Sequence, residues 1–426
     1  MRGDYRVYGY RWVVLGVFMF VNLTIQTLWI SYAPITGAAA AFYGVSELQI
    51  GLLSMVFMIA FIPLSIPVSW LIDGAGFRVA VGLGTALMGI FGILRGLSGA
   101  HYGLVLASSI GIAIAQPFLL NAWSTVPAKW FPVEERATAV GLVTLSNLVG
   151  TALGMVLTPI LLGSMSIART QSLFGLAAAL SSAAFLLLAR ERPPSPPCAP
   201  GGEGRALMLE GLRHALADSS FWLILLLAFV AMGIFNGLST WIEAIVRPRG
   251  FDPSFAGMLG ALMLGGGLIG AVFLPAISDR RGRRRSFLLL ACLGAMPGLL
   301  GLAFATEAFW VATSAFAIGF CLVSIMPIGL QYAAEITYPT PEGSSNGLIQ
   351  LFGQGAVVFV YLMELMRTGS GSFGPSLLLA VGLLGLGAAA TRLMRDPARR
   401  SDAKVPGEAA RDQGPGLGGE SAWPSS

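Results

Sequence analysis

Ser278-Asp279-Arg280-Arg281-Gly282-Arg283-Arg284-Arg285 is a short loop, acidic first and basic after, set between two long apolar runs. A weaker copy lies 206 positions earlier, where Asp73, Gly76 and Arg78 stand at the spacing of Asp279, Gly282 and Arg284. The same offset carries Ala137-Thr138-Ala139-Val140-Gly141-Leu142 onto Gly343-Ser344-Ser345-Asn346-Gly347-Leu348, so the repeat does not rest on one loop. Two halves on one plan is the reading that follows, and parallel six-helix repeats of this kind are a transporter signature.

Composition places both halves in lipid. A soluble chain carries roughly a quarter charged residues. This one, at 426 residues, has 11% charged and 55% hydrophobic residues, with a mean hydropathy of +0.76. A spanning helix needs about 20 mainly apolar residues, and only helices or closed barrels satisfy the backbone in hydrocarbon. The runs are continuous and not alternating, which selects helices. Twelve are expected, at 11–36, 47–72, 78–98, 102–126, 137–161, 169–189, 220–246, 254–278, 286–305, 308–331, 344–366 and 374–394. The fold class is an all-α membrane protein, with twelve transmembrane helices in two pseudo-twofold-related six-helix bundles. The expected division is 1–189 and 220–395 for the bundles, 190–219 for a cytoplasmic linker and 396–426 for a tail. The linker is rich in Pro and Gly, with a possible amphipathic surface helix from Leu207 to Ala217. The tail is polar and expected to be disordered.

Twelve spans put both ends on one side, and the positive-inside bias chooses the cytoplasm. Of all the Lys and Arg residues, only Arg95, Arg169, Arg247, Arg249 and Arg367 fall on the other side. The net charge of +5 is this topology signal, so it needs no nucleic acid partner. The first apolar run is too long for a cleaved signal peptide and reads as a retained helix in the cell membrane. Cys198, Cys292 and Cys321 form neither a metal-ligand spacing nor a disulfide framework. No cofactor is implied, and nothing matches a phosphate-binding loop or a nucleophile with its base, which argues against a primary pump or an enzyme. A monomer is expected.

The loop at Asp279-Arg280-x-Gly282-Arg283-Arg284 resembles the cytoplasmic motif G-x-x-x-D-R/K-x-G-R-R/K of the major facilitator superfamily, with Pro275 at its leading glycine. The first copy is eroded, with Ser69, Gly74 and Phe77 at three motif positions, but keeps Asp73, Gly76 and Arg78. In that superfamily the loop acid of one half meets the start of a helix in the other. Pseudo-symmetry then pairs Asp73 with the start of the eleventh helix near Ser344, and Asp279 with the start of the fifth near Arg136. Asp73, Gly76, Arg78, Asp279, Gly282, Arg283, Arg284 and Arg136 are therefore the expected gating residues, against a plain reading as topology signals and tight turns.

A narrower resemblance begins at Gln26-Thr27-Leu28-Trp29-Ile30-Ser31-Tyr32 and continues through Phe42-Tyr43-Gly44-Val45-Ser46 and Pro63-Leu64-Ser65-Ile66-Pro67-Val68-Ser69-Trp70-Leu71. It extends through Gln116, Trp130-Phe131 and Pro341-Glu342-Gly343-Ser344-Ser345-Asn346-Gly347-Leu348, with Gln354 behind. These stretches look like the feline leukaemia virus subgroup C receptor-related transporters, a family linked to haem export and to choline and ethanolamine uptake. The resemblance implies that Trp29, Gln116 and Gln354 line a central cavity. At the position of Asn236 that family tends to carry an aromatic.

The residues themselves support such a cavity. Asn22, Gln26 and Trp29 share one helix face, and amides facing lipid are costly, so the stripe points to a cavity or to a neighbouring helix. A quaternary ammonium has no N–H to donate and is held by an aromatic face, at roughly 0.5–2 kcal/mol. Phe235, Asn236 and Trp241 offer further wall on the seventh helix, with a lipid-interface aromatic as the plain reading of Trp241. No ionisable side chain sits at the middle of an expected span, although proton-driven carriers usually expose one there. That favours facilitated movement of a choline-like amine, haem or a related metabolite, with Glu243 the one candidate coupling acid. His101 and His214 fall outside the spans and are not placed to ligate haem iron. The alternatives are a symporter or antiporter of small organic acids, or a receptor or scaffold that uses the fold without turnover.

Overall fold

A computed structural model describes residues 6–197, 216–337 and 342–395. Among the described residues, 12 helices are long and apolar enough to cross a membrane. The first span is α1 (Arg11–Ile30), a 3-10 turn (Ala33–Ile35) and α2 (Thr36–Tyr43). It is followed by α3 (Glu47–Ala75), α4 (Phe77–Leu97), α5 (Tyr102–Leu120), the short α6 (Thr125–Trp130), α7 (Val133–Leu162) and α8 (Ile167–Leu188). The second half comprises α9 (Ser219–Val246), α10 (Pro253–Arg281), α11 (Arg284–Phe304), α12 (Ala308–Ile336), the pair α13 (Glu342–Gly355) and α14 (Val357–Leu365), and α15 (Gly374–Thr391). We call the face where odd-numbered spans begin the terminal face, and the opposite one the far face.

Local chemistry sets the helix starts at the far face. Ser46 forms a capping box with Gln49, giving and receiving one bond each way (2.9 and 3.3 Å). Asp252 accepts from the Phe255 N–H at 2.8 Å ahead of Pro253. Three helices differ from the sequence expectation because tertiary contacts extend or divide them. The first span runs on to Tyr43 after a break, the tenth reaches Ile336, and the eleventh is interrupted at Ala356. The expected surface helix at Leu207–Ala217 lies almost wholly outside the described residues, and the expected tail lies wholly outside them.

The buried apolar side chains fall into separate clusters. One buried cluster draws only on residues of the first half, from Val14 to Ala189. Another draws on the second half from Phe221 to Met394, and takes in Ile30, Ala33, Met55, Met58 and Met155 of the first. Glycines let the helices approach. A Cβ on Gly150 of α7 would lie 2.1 Å from the Leu23 carbonyl oxygen, and the Thr27 hydroxyl donates to the Gly150 carbonyl at 2.8 Å. Between the halves, a Cβ on Gly257 of α10 would lie 2.4 Å from the Met155 carbonyl oxygen.

Candidate functional site

Two of the four central candidates sit beside a helix interruption: Trp29 precedes the break at Ser31–Pro34, and Gln354 is the last residue but one of α13, just before Ala356. Gln116 precedes Pro117 inside α5, which continues to Leu120. Proline removes an N–H and frees a carbonyl. Such interruptions are tolerated at membrane depth where the backbone faces protein or a water-filled cavity, which is how carrier sites are commonly built.

Gln116, Asn236 and Gln354 are 5%, 5% and 7% exposed. Among the described residues none of their side chains has a hydrogen bond, and none of their polar atoms is sealed from solvent. They are thus three nearly enclosed amides that keep a sliver of solvent access, where a sealed unpaired amide would cost about 1–3 kcal/mol. Trp29 is half-buried and packs against both apolar clusters, the second of which includes its first-half neighbours Ile30, Met55 and Met58. Its indole N–H donates to the Ser54 carbonyl at 3.2 Å, and the Ser54 hydroxyl returns a bond to the Trp29 carbonyl at 3.2 Å. The Gln26 Oε1 and Asn22 Oδ1 atoms are enclosed without a partner, while Asn22 Nδ2 donates back to Phe18 at 2.8 Å.

Two expected site residues lie elsewhere. Trp241 is fully buried, its N–H donating to the Val360 carbonyl at 2.9 Å, and its ring meets Gly51 so closely that a Cβ there would lie 2.2 Å from it. It is neither a cavity wall nor a lipid-interface aromatic: it plugs the contact between α3 and α9. Glu243 sits beyond it, 2% exposed, accepting from the Gly37 N–H at 3.1 Å and facing Arg247 at 3.5 Å.

Around Glu243 the structure assembles a network that sequence reasoning missed. The Glu47 carboxylate of the first half pairs with Arg247 and, at 2.7 Å, with Arg367, both of the second half. Arg367 also meets Glu364 at 3.2 Å. Burial works to lower the Arg367 pKa, but the bond and charge of Glu47 outweigh it, with Glu364 adding, so the guanidinium is held above its ordinary value. Both of these pairs across the halves, Glu47 with Arg247 and Glu47 with Arg367, lie at the far face. The available signal was that Arg247 and Arg367 are two of only five basic residues on that face.

At the terminal face each motif loop folds onto its own half. Asp279 pairs with Arg284, which also binds Glu335 at 3.1 Å, and Gly282 takes the left-handed conformation (φ 61°) that ends α10. Arg283 is exposed. The expected contact of Asp279 with Arg136 is thus replaced by an internal one, and Arg136 Nε donates to the Phe131 carbonyl at 3.2 Å. The physical reason is proximity: Arg284 stands five residues on in the same loop, within direct reach of the Asp279 carboxylate. Asp73 and Arg78 are exposed, and the side chains at the start of the eleventh span, Ser344 among them, lie outside the described residues. Near Gly76, Glu191 serves as the acid that the sequence reading did not foresee. It pairs with Lys129 and accepts from the N–H groups of Phe77 (3.3 Å) and Arg78 (2.7 Å), at the positive end of α4.

Twelve spanning helices in two halves, joined by ion pairs at one end, have the architecture of a two-bundle membrane transporter. The sequence profile of the Major Facilitator Superfamily matches residues 14–361, and the chain belongs to that superfamily. It is 30% identical to Solute carrier family 49 member A3 of Xenopus tropicalis, over 88% of this chain and 81% of that protein. It is 28% identical to Choline/ethanolamine transporter flvcr2b of Danio rerio, over 93% and 86%. In fold it is similar to a bacterial homologue of the human lysosomal transporter Spinster, solved inward-facing and unoccupied, with a TM-score of 0.72, 17% identity and coverage of 91% and 98%.

Proposed function

We propose that the protein is a facilitator that carries a choline-like amine across the cell membrane by alternating access, with the terminal face in the cytoplasm. The observation that carries the reading is the set of Gln116, Asn236 and Gln354, enclosed yet unpaired, together with Trp29, which is half-buried and packs against both apolar clusters. An ammonium group suits an aromatic face, and its hydroxyl end suits amide groups. The relatives named as choline/ethanolamine transporters support the same class. Closure at the far face corresponds to a state open to the cytoplasm, and the arginine-rich loops support that orientation. As that side closes, Asp279 exchanges Arg284 for Arg136, and Asp73 engages the start of the eleventh span.

The test is uptake of radiolabelled choline and ethanolamine by purified protein in proteoliposomes. Wild type is expected to take up at least one of them, and Trp29→Ala to lose about tenfold or more while remaining folded. Absence of wild-type uptake of both would end this reading. Asn236→Leu removes one acceptor for N–H donors, so ethanolamine uptake is expected to fall more than choline uptake, by a ratio of about five or more.

A further inference from the structure

Arg95 stands at the end of α4 and is 2% exposed, yet it forms no ion pair among the described residues. Its Nη1 donates to the Leu28 carbonyl at 2.9 Å and its Nη2 to the Ser31 hydroxyl at 3.3 Å. The guanidinium lies 5.5 Å from the centre of the Tyr32 ring, and its Nε is enclosed without an acceptor. Ser31 donates in turn to Leu28 at 3.1 Å and lies 3.4 Å from Gln171 Nε2. A buried cation is costly unless something compensates it. Here the compensation is the C-terminal end of α1, whose last carbonyls carry roughly half a negative charge, and the Tyr32 ring face.

The location matters more than the charge. Leu28 and Ser31 flank Trp29, and Pro34 has no N–H with which to continue the helix. Below the break lies the Trp29 ring; above it, α2 carries Gly37, whose N–H meets Glu243 of the other half. We propose that Arg95 is a positioning residue: its two-pronged hold on the broken first span fixes Trp29 and the far-face seal relative to each other, so that ligand at Trp29 and closure of the seal are coupled. Lysine at this position carries the charge without the planar fork and reaches one acceptor at a time.

The test uses full-length protein with Cys198, Cys292 and Cys321 replaced by serine and a reporter thiol introduced as Thr36→Cys, a site 1% exposed beside the seal. The rate at which a membrane-impermeant maleimide labels that thiol is measured with and without choline. In the Arg95 background labelling is slow and choline changes it. Arg95→Met is expected to raise the ligand-free rate about tenfold and Arg95→Lys about threefold, and in both choline no longer alters the rate although it still binds by equilibrium dialysis. Equal ligand-free rates in all three proteins overturn the proposal, as does a lowered melting temperature with the response to choline intact. Should Arg95→Met not fold, Arg95→Lys decides by the same criteria. The coupling arm rests on the reading of Trp29 as substrate wall, but the ligand-free rates do not: choline that binds nowhere refutes the proposed substrate and leaves those rates to judge Arg95.

Discussion

Gly37 and Glu243 occupy the same position in the two halves, 206 residues apart, and they touch: the Gly37 N–H donates to the Glu243 carboxylate at 3.1 Å. A residue that meets its own repeat mate lies beside the axis relating the halves. Arg247 lies against the same point: a Cβ on Gly37 would fall 1.7 Å from Arg247 Nη1, so the guanidinium would have to move aside. Glu243 thus joins the halves at the far face, well away from the Gln116 and Gln354 amides.

For Glu243 the expectation is therefore structural closure and not proton coupling. Glu243→Gln keeps an oxygen for the Gly37 N–H, so choline uptake should stay within about fivefold of wild type, since a single hydrogen bond contributes about 1 kcal/mol net. Uptake should be equal with and without an imposed proton gradient in both proteins. A strict gradient requirement that disappears in Glu243→Gln would reinstate the coupling role.

Glu47 is the acid on which the far-face seal turns, because it faces two cations of the other half at once. The side chains of Glu47 and Arg367 are 20% and 18% exposed, so the pairs are only partly screened. Glu47→Gln should shift the balance away from far-face closure by about 1–2 kcal/mol, or five- to thirtyfold. Maleimide labelling of a Thr36→Cys thiol from the far face reads the shift directly. An unchanged rate would mean that apolar packing alone holds the seal.

Two glycines separate fold from conformation. Gly150→Ala forces a methyl group against Leu23 inside the first half, in every state of the cycle, at about 1–3 kcal/mol. Its melting temperature should fall by several degrees. Gly257→Ala presses on Met155 across the halves and is penalised only when the far face is closed. It should melt near wild type while its far-face labelling rises, and equal melting losses in the two variants would contradict the division.

Asp279 is expected to change partners during transport. Asp279→Asn weakens both the Arg284 pair seen here and the Arg136 pair of the opposite state, of which only the second joins the halves. Labelling of an Ala137→Cys thiol from the terminal face should become several-fold faster, with slower uptake. Unchanged labelling together with normal uptake would remove Asp279 from the gate.

The twelve spans, the duplication and the loops at Asp73 and Asp279 were legible in the sequence because each depends on local composition and on a fixed offset. Trp29, Gln116 and Gln354 were singled out in the sequence because amides and an indole in apolar helices stand out wherever they point, and their role as substrate wall is for the uptake assay to decide. Trp241 was misplaced for the complementary reason: whether an aromatic lines a space or fills it depends on the residue opposite, here Gly51. The pairing of Glu47 with Arg247 and Arg367, 200 and 320 positions away, carries no local signal at all. Nor does Arg95, whose partners are backbone carbonyl and hydroxyl groups freed by a break in another helix. Sequence alone determined that this chain is a duplicated helical bundle in lipid, because burial in hydrocarbon constrains every residue of a span. Only tertiary structure decided at which end ion pairs join the halves and which residues form them, because an ion pair is a relation between chain positions that packing, and not proximity in sequence, brings together.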